Sequence, residues 1–237
     1  MKTIELSARM QALVNMVPEG RRVCDVGCDH GWVSIYLVQK GIADRVYAMD
    51  VRTGPLERAK EHIDRYQLEE VIETRLSDGL TNLQVGEADC MICAGMGGPL
   101  MTKILTEGRE KAKVMKELIL QPQSEVPQFR KFLREEGYEI IAEDMVLEDG
   151  KFYPMMKVKP TDSQDCSKSD MDQQELWDAY GEYLLKQKHP ILRQYLLKGK
   201  EQTQSLLQHL KEKGTASKRI VQLQDELKLL EKAMGYM

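Results

Sequence analysis

The chain lacks the features of a membrane protein, an exported protein or a disulfide-stapled scaffold. No apolar run approaches the roughly 18 residues that a membrane span needs. The first ten residues, MKTIELSARM, have no apolar core of the kind found in signal peptides. Five cysteines are an odd number in a chain without an export signal, so no disulfide framework is expected. We therefore expect a cytoplasmic protein that makes no membrane contact.

What remains is the composition of an ordinary globular protein. Of 237 residues, 42% are hydrophobic and 30% are charged, which excludes a disordered or collagen-like chain. The 34 Lys and Arg side chains against 38 acidic ones give a net charge of −4. The length allows one large domain, or a domain of about 150 residues plus an appendage.

The cysteines do not form a convincing zinc site. Cys90 and Cys93 lie in an apolar segment, residues 88–94, that is expected to be a strand. Three residues apart on a strand, their side chains point to opposite faces. Zinc needs ligands that converge tetrahedrally, so pairing them with Cys24 and Cys28 is disfavoured. We expect small buried hydrophobic residues and no metal requirement.

Over residues 1–159, short apolar runs that predict strands alternate with amphipathic stretches that predict helices. Strands are expected at residues 22–26, 45–49, 71–75, 90–94, 117–120, 140–147 and 152–158. Helices are expected at residues 6–17, 32–40, 54–66, 99–107 and 126–136. Such alternation forms a parallel sheet covered on both faces, but the last two strands, joined by the turn Glu148-Asp149-Gly150, must be antiparallel. The fold class is α/β: a Rossmann-like, mostly parallel sheet with a terminal antiparallel hairpin.

The rest of the chain is predicted to be helical. Residues 160–173 are polar, without apolar periodicity, and indicate a linker. Beyond the linker, apolar residues recur at alternating spacings of three and four, which is typical of a coiled coil. The two stripes are Leu192, Leu196, Gly199, Thr203, Leu206 and Leu210, then Ile220, Leu223, Leu227, Leu230 and Met234. With Gly214 as a helix C-cap between them, residues 174–237 are predicted to hold an antiparallel coiled-coil hairpin.

The segment from Val23 to Gly31 reads as a strand, a glycine-containing turn and the start of a helix, where α/β sheets bind nucleotide-like ligands. A dinucleotide fingerprint would be G-x-G-x-x-G, but Asp29 stands at its middle glycine. A carboxylate beside a pyrophosphate is unfavourable, which weakens the nicotinamide-enzyme alternative. S-adenosylmethionine has a sulfonium, an ammonium group and no phosphate, and it suits this loop better.

Two further carboxylates are expected at the same edge of the sheet. Asp50 ends the second strand, 23 residues past Gly27, where an acidic group can accept hydrogen bonds from both ribose hydroxyls. Asp78 follows the third strand, where it can accept a hydrogen bond from an adenine amino group. Each alone could simply cap a turn. Three such turns in register favour a binding site.

Several motifs together resemble the bacterial tRNA adenine-22 N1-methyltransferases. They are Ser7-x-Arg9-Met10, Asp25-x-Gly27-x-Asp29-His30, Gly54-Pro55, Ser77-Asp78-Gly79-Leu80, Ile92-x-Ala94-Gly95-Met96-Gly97-Gly98 and Leu118-Ile119-Leu120-Gln121-Pro122. The resemblance runs from about Leu6 to Val158, and the helical tail is similar to the coiled-coil domain of that family. It implies a class I methyltransferase fold that transfers a methyl group from S-adenosylmethionine to N1 of an adenine in the tRNA D-arm.

The resemblance also implies roles for particular residues. Cofactor contacts are expected at Asp25, Gly27, Gly31, Asp50, Val51, Asp78, Gly79, Ala94 and Gly95. Substrate contacts are expected at Arg9, His30, Tyr153, Arg193, Lys198 and Lys200. Asp29 is the candidate catalytic residue, although a purely cofactor-binding role remains equally open. Between Lys186 and Arg219, nine basic residues against two acidic ones give a local charge of +7, as a tRNA-binding arm would require.

The segment after the fourth strand disfavours other nucleic-acid methylations. It contains neither the Asn/Asp-Pro-Pro-aromatic turn of amino-group methylation nor the Pro-Cys nucleophile of pyrimidine carbon methylation. Adenine N1 needs no proton removed before its lone pair attacks, so proximity can supply much of the rate. A small-molecule or protein acceptor and a non-catalytic scaffold remain the alternatives. A monomer or weak homo-oligomer is expected.

Overall fold

The computed structural model describes residues 4–161, 171–212 and 217–237. The chain divides into two compact units, residues 1–166 and 167–237. Most of the predicted linker, residues 162–170, lies outside the described residues, as do Cys166 and the predicted cap Gly214. The predicted domain bounds at 159 and 174 stay a prediction.

The first unit alternates strands and helices in the predicted order. Its elements are α1 (Ala8–Asn15), β1 (Arg21–Val26), α2 (Trp32–Gln39), β2 (Ala43–Asp50), α3 (Thr53–Arg65), β3 (Ile72–Leu76), β4 (Cys90–Met96), α4 (Gly98–Glu107), α5 (Arg109–Ala112), β5 (Glu117–Pro122), α6 (Val126–Glu135), β6 (Tyr138–Glu148) and β7 (Lys151–Pro160). The short helix α5 was not predicted, since one helical turn is too short to show periodicity.

The seven strands form one sheet in the order β3-β2-β1-β4-β5-β7-β6. Strands β1 to β5 pair in parallel, and β7 pairs antiparallel with both β5 and β6. The predicted Rossmann-like fold with a terminal antiparallel hairpin is confirmed. Strands β4 and β5 run two residues further than expected because Ala94 pairs with Gln121 and Met96 with Pro122. The glycine motif and the Leu-Gln-Pro motif therefore begin inside the sheet.

Helices cover the two faces of this sheet over separate apolar cores. One core packs α4, α5 and α6 against alternate strand residues such as Met49 and Cys93. The other packs α1, α2 and α3 against the intervening residues, such as Ala48 and Cys90. The predicted opposite orientation of Cys90 and Cys93 is confirmed, because a strand turns successive side chains to opposite faces.

The second unit is wholly helical in its described part. It contains α7 (Met171–Tyr180), α8 (Glu182–Lys186), α9 (Pro190–Glu212) and α10 (Ser217–Met234). Helices α9 and α10 are antiparallel: Lys200 Nζ lies 3.1 Å from Glu231 Oε1, and Thr203 Oγ1 lies 3.3 Å from Glu226 Oε1. At Gly199 an added Cβ would lie 3.3 Å from Leu230 Cδ2, so the glycine permits close packing of the two helices.

The predicted apolar stripe of α9 is wrong at its C-terminal end. Leu207 is buried there, whereas Leu206 is 40% exposed. An α-helix has 3.6 residues per turn, so a strict three-and-four pattern drifts around its surface unless the helices supercoil. In α10, Ala233 is buried and Met234 only partly so, a shift of one residue against the predicted stripe.

Within the ranges that the structure describes, no helix combines the length and apolarity needed to cross a bilayer. In the same ranges, no group of three or more His, Cys, Asp or Glu side chains gathers where it could hold a metal ion.

Candidate active site

The turn after β1 adopts an unusual backbone conformation. Gly27, Asp29 and Gly31 all have positive φ, at 78°, 50° and 75°. Glycine reaches this region without steric cost, and aspartate is among the few other residues that do so readily. The amides of Gly27 and Cys28 donate to the carbonyl of Met49, at 2.8 and 2.9 Å. The turn is thereby fixed against the end of β2.

Asp50 joins this turn to the next one. Its buried carboxylate accepts a 3.4 Å hydrogen bond from the Asp29 amide and a 2.9 Å hydrogen bond from the Arg52 amide. The Asp50 carbonyl also accepts from the amide of Ser77, at 2.9 Å. The turns after β1, β2 and β3 are thus brought together, as their positions at one edge of the sheet predict.

Asp78 lies on the exposed side of the third turn. Ser77 organises that turn: its Oγ donates to the Gly79 carbonyl at 2.9 Å and accepts from the Asn82 amide at 3.1 Å. The Asp78 carboxylate is 58% exposed and lies 3.6 Å from Lys103 Nζ. It is therefore available to a ligand.

Asp25 has a different environment from the other carboxylates. It is buried at the C-terminal end of β1 and accepts a 2.7 Å hydrogen bond from Ser34 Oγ of α2. Burial raises its pKa to about 6, against the opposing effect of the Ser34 hydrogen bond. This contact places Asp25 under the turn. The structure thus shows Asp25 linking the end of β1 to α2. The predicted contact of Asp25 with the cofactor stays a prediction.

Helix α3 holds the Asp29–His30 pair from the side. Arg58 Nε donates to His30 Nδ1 at 3.2 Å, which leaves the imidazole proton on Nε2. That Nε2 lies 3.6 Å from Asp29 Oδ2. One turn further along α3, His62 contacts the His30 carbonyl at 2.9 Å and stacks on Trp32 at 4.0 Å. Arg58 and His62 carry no sequence signal beyond their helical spacing and were not predicted.

The glycines after β4 are needed for close backbone packing. An added Cβ at Gly98 would lie 2.6 Å from the Ser124 carbonyl oxygen, and one at Gly97 would lie 2.9 Å from Ser124 Oγ. The Gly98 amide donates to that same carbonyl at 3.0 Å. These two glycines seat the start of α4 on the loop after β5. Of Gly95, Gly97 and Gly98, Gly95 alone has a positive φ, at 79°, like the glycines of the turn after β1.

Three predicted or motif residues meet beside Gly95. Arg9 Nη1 donates to Gln121 Oε1 at 3.2 Å, and the guanidinium lies over the Tyr153 ring, 4.8 Å from its centre. The structure therefore unites Arg9 and Tyr153, which are 144 positions apart in sequence. Gln121 was not predicted as a site residue. Its signal was a polar side chain directly after the apolar run Leu118-Ile119-Leu120.

Exposed apolar residues mark the ends of β2 and β3. Val51 is 60% exposed and Leu76 is 49% exposed. Leu76 pairs in register with Asp50, and Val51 follows Asp50 directly in sequence. The sequence predicted a cofactor contact at Val51 and missed Leu76.

The predicted substrate residues of the second unit differ in their surroundings. Arg193 and Lys198 are exposed on α9. Lys200 forms an ion pair with Glu231 and is 30% exposed. Part of its charge is therefore balanced within the unit.

The cysteines near the site are poor nucleophiles. Cys24, Cys28, Cys90 and Cys93 are all buried. Burial raises the pKa of the Cys90 and Cys93 thiols to about 12 and raises that of Cys28 further still. In the described part of the chain, these thiols stay protonated at neutral pH.

Known proteins are similar to this chain in sequence and in fold. The family model of the methyltransferase domain matches residues 6–156. The chain is 28% identical to the tRNA (adenine(22)-N(1))-methyltransferase of Bacillus subtilis, with 100% of both chains covered. The crystal structure of the B. subtilis m1A22 tRNA methyltransferase superposes with a TM-score of 0.84 at 28% identity, covering 97% of this chain and 98% of that one.

A Streptococcus pneumoniae structure is equally similar. It is a candidate tRNA (m1A22) methyltransferase in complex with S-adenosyl-L-methionine, 28% identical, with a TM-score of 0.84 over 97% of this chain and 99% of that chain. The resemblance predicted from the sequence motifs is confirmed. The match of the family model over residues 6–156 shows that this chain belongs to the methyltransferase-domain family.

Proposed function

We propose that this protein transfers the methyl group of S-adenosylmethionine to N1 of the adenine at position 22, in the D-arm of tRNA. The observation that carries the proposal is the full-length similarity to the B. subtilis tRNA (adenine(22)-N(1))-methyltransferase, helical unit included. The geometry of the sheet edge agrees with it. That edge carries fixed carboxylates on one half and the Arg9–Tyr153 pair on the other.

The residues at the ends of β2 and β3 fit S-adenosylmethionine. Exposed Val51 and Leu76 offer apolar surface to an adenine ring, and Asp78 offers an exposed acceptor for its amino group. We propose Asp50 as the acceptor for the ribose hydroxyls. When bound, the cofactor supplies an electrophilic methyl group. Gly27 and Gly31 let the backbone approach it closely.

The side chains near the site favour adenine N1 over a pyrimidine carbon as the methyl acceptor. The buried, protonated thiols argue against covalent attack on a pyrimidine carbon. The lone pair of adenine N1 needs no base to become nucleophilic. The protein then has to orient the base, exclude water and stabilise the positive charge of the methylated ring.

Asp29 is the residue we propose for that last task. Its carboxylate is 59% exposed, on a turn whose backbone is held by Asp50. His30 Nε2 lies 3.6 Å from the Asp29 carboxylate, and Arg58 Nε donates to His30 Nδ1 at 3.2 Å. His30 is therefore a positioning residue for Asp29 in this arrangement.

We propose residues 174–237 as a tRNA-binding arm joined to the catalytic domain by the linker at 160–173. Arg193, Lys198 and Lys200 are its proposed phosphate contacts, and Arg193 and Lys198 are exposed on α9. A small-molecule acceptor would leave this basic helix without a role. We further propose a cytoplasmic monomer or weak homo-oligomer that needs no metal.

The test is a methylation assay with purified full-length protein, labelled S-adenosylmethionine and unmodified tRNA, followed by nucleoside analysis. The expected product is 1-methyladenosine, and it should disappear when adenine 22 is replaced by another base. Cofactor binding without transfer to tRNA would support a small-molecule or protein acceptor. Absence of cofactor binding would support a non-catalytic scaffold.

A further inference from the structure

Arg9 is held rigidly at the acceptor half of the sheet edge. It lies in the first turn of α1, where its backbone amide donates to Glu148 Oε1 at 3.0 Å. Its Nη1 donates to Gln121 Oε1, and its guanidinium stacks over Tyr153. Contacts from β5 and β7 thus fix the arginine side chain, and the contact from β6 fixes its backbone. Ligand binding by this side chain therefore costs less entropy than binding by a free surface arginine would.

Gln121 supports this arrangement and, because it is buried, offers no surface to a ligand. Its side chain is fully buried in β5. The amide nitrogen donates to the Pro122 carbonyl at 3.1 Å, and the amide oxygen accepts from Arg9. A buried glutamine with both ends satisfied acts as a positioning residue for the guanidinium.

Most N–H donors of the Arg9 guanidinium have no hydrogen-bond partner within the described part of the chain. Its Nε is buried and has no hydrogen-bond partner there. Its Nη2 also makes no hydrogen bond to the described residues, and only Nη1 is engaged. A buried donor without a partner costs free energy, so its retention calls for an explanation. A fixed guanidinium with donors to spare is suited to an anion.

We propose that Arg9 binds a backbone phosphate next to the target nucleotide, with Tyr153 as its support. The inference rests on the proposed function and names the part of the RNA that this residue recognises. The methylated adenine ring is cationic, so a guanidinium against the ring would oppose the reaction. A phosphate carries a permanent negative charge and matches the guanidinium fork. The Tyr153 face under Arg9 is also covered, which leaves that face closed to a stacked base.

The experiment removes the charge from each partner in turn. Synthetic tRNA carrying a neutral methylphosphonate on the 5′ or the 3′ side of adenosine 22 is compared with unmodified tRNA, using wild-type protein and Arg9→Gln. In the wild type, one of the two neutral linkages should raise KM for tRNA about 10- to 100-fold. In Arg9→Gln, KM should already be raised by a similar factor, and the same linkage should change it less than about twofold.

The matched control is Arg45→Gln. Arg45 also lies over a tyrosine ring, 5.5 Å from the centre of Tyr47, but near the opposite end of its strand. The Arg45→Gln variant should have the same KM for tRNA as the wild type and the same sensitivity to the neutral linkage. The dissociation constant of S-adenosylmethionine should stay within about twofold in both variants.

Two results would overturn the inference. One is a wild-type enzyme indifferent to both neutral linkages, and the other is Arg9→Gln retaining full sensitivity to the linkage. Should Arg9→Gln fail to fold, Arg9→Lys replaces it, with a smaller linkage effect expected from a charge that cannot form a fork. Failure of the proposed function looks different, since the wild type would then form no 1-methyladenosine on unmodified tRNA.

Discussion

Ser34 and Asp25 form a buried hydrogen bond of 2.7 Å between α2 and the end of β1. Burial raises the pKa of the aspartate to about 6, from a usual value near 3.8, because it disfavours the charged form. A carboxyl group buried this way makes the fold less stable when it ionises. The free energy of unfolding should therefore depend on pH, with a sign that follows from the raised pKa of Asp25.

The free energy of unfolding should fall as pH rises from about 4 to about 6, by about 3 kcal/mol from Asp25 alone. Below pH 4 Asp25 is protonated in both the folded and the unfolded protein, so it makes its full contribution to stability there. Asp25→Asn keeps an acceptor for Ser34 and should remove this fall. Urea unfolding of both proteins between pH 3.5 and pH 7 measures the difference.

Asp89→Asn is the control of opposite sign. Arg22 holds the pKa of Asp89 at about 2, so this carboxylate stabilises the fold increasingly as pH rises toward about 4. Asp89→Asn should flatten the plot of the free energy of unfolding against pH below about pH 4. The fall between pH 4 and pH 6 should stay unchanged. A wild-type curve identical to that of Asp25→Asn would show that Asp25 ionises normally.

Asp78→Ala should weaken S-adenosylmethionine binding about tenfold, the loss expected for one hydrogen bond to a charged group. Its exposed carboxylate contacts only Lys103 among the described side chains, so the midpoint of thermal unfolding should barely change. Isothermal titration gives the dissociation constant. Glu107→Ala is the matched control, because Glu107 is the other acidic neighbour of Lys103, at 3.8 Å. Equal effects of the two variants would exclude Asp78 from the site.

Asp29→Asn should lower the rate of methyl transfer about 100-fold or more and change cofactor affinity less than about threefold. Asparagine tolerates the left-handed backbone of residue 29, so the turn should keep its shape. Single-turnover kinetics and cofactor titration separate the two effects.

Asp149→Asn offers the same substitution at another left-handed aspartate, φ 49°, in the turn between β6 and β7. It should leave both rate and affinity unchanged. If Asp29→Asn instead weakens cofactor binding and spares the rate, Asp29 is a cofactor ligand.

Gly98→Ala should destabilise the fold by about 1–3 kcal/mol and reduce activity, because its Cβ would lie 2.6 Å from the Ser124 carbonyl oxygen. Gly54→Ala is the control. It lies in the first turn of α3, where an added Cβ meets nothing beyond its chain neighbours nearer than Arg58 Nη1 at 4.0 Å. Its preference for alanine in a helix is opposed by Pro55, which disfavours a helical residue with a Cβ before it. Chemical denaturation should therefore show a smaller loss of stability for Gly54→Ala than for Gly98→Ala.

Local sequence pattern was sufficient for most of the fold. Alternating apolar runs predicted all seven strands, since each strand must cover its own share of two apolar cores. The short turn before Lys151 required the last pair to be antiparallel. The stripe of α9 was predicted less well, because Leu206 and Leu207 are equally apolar and only the packing against α10 decides which one is buried.

The candidate site also has features that the sequence predicted and features that only the structure revealed. Asp29, Asp50 and Asp78 follow strands whose ends must meet at one edge of a parallel sheet, so their proximity was already contained in the sequence. The glycines at 97 and 98 appeared in the sequence only as part of a motif, and their 2.6–2.9 Å approach to Ser124 in the structure revealed a packing role.

The sequence by itself determined the fold class and the acidic edge, because both depend on residues close together along the chain. Tertiary structure alone decided the Arg9–Gln121–Tyr153 contact and the hold of Arg58 on His30. These pairs come from elements far apart in sequence. Their distances depend on sheet order and helix packing, which no local pattern of side chains encodes.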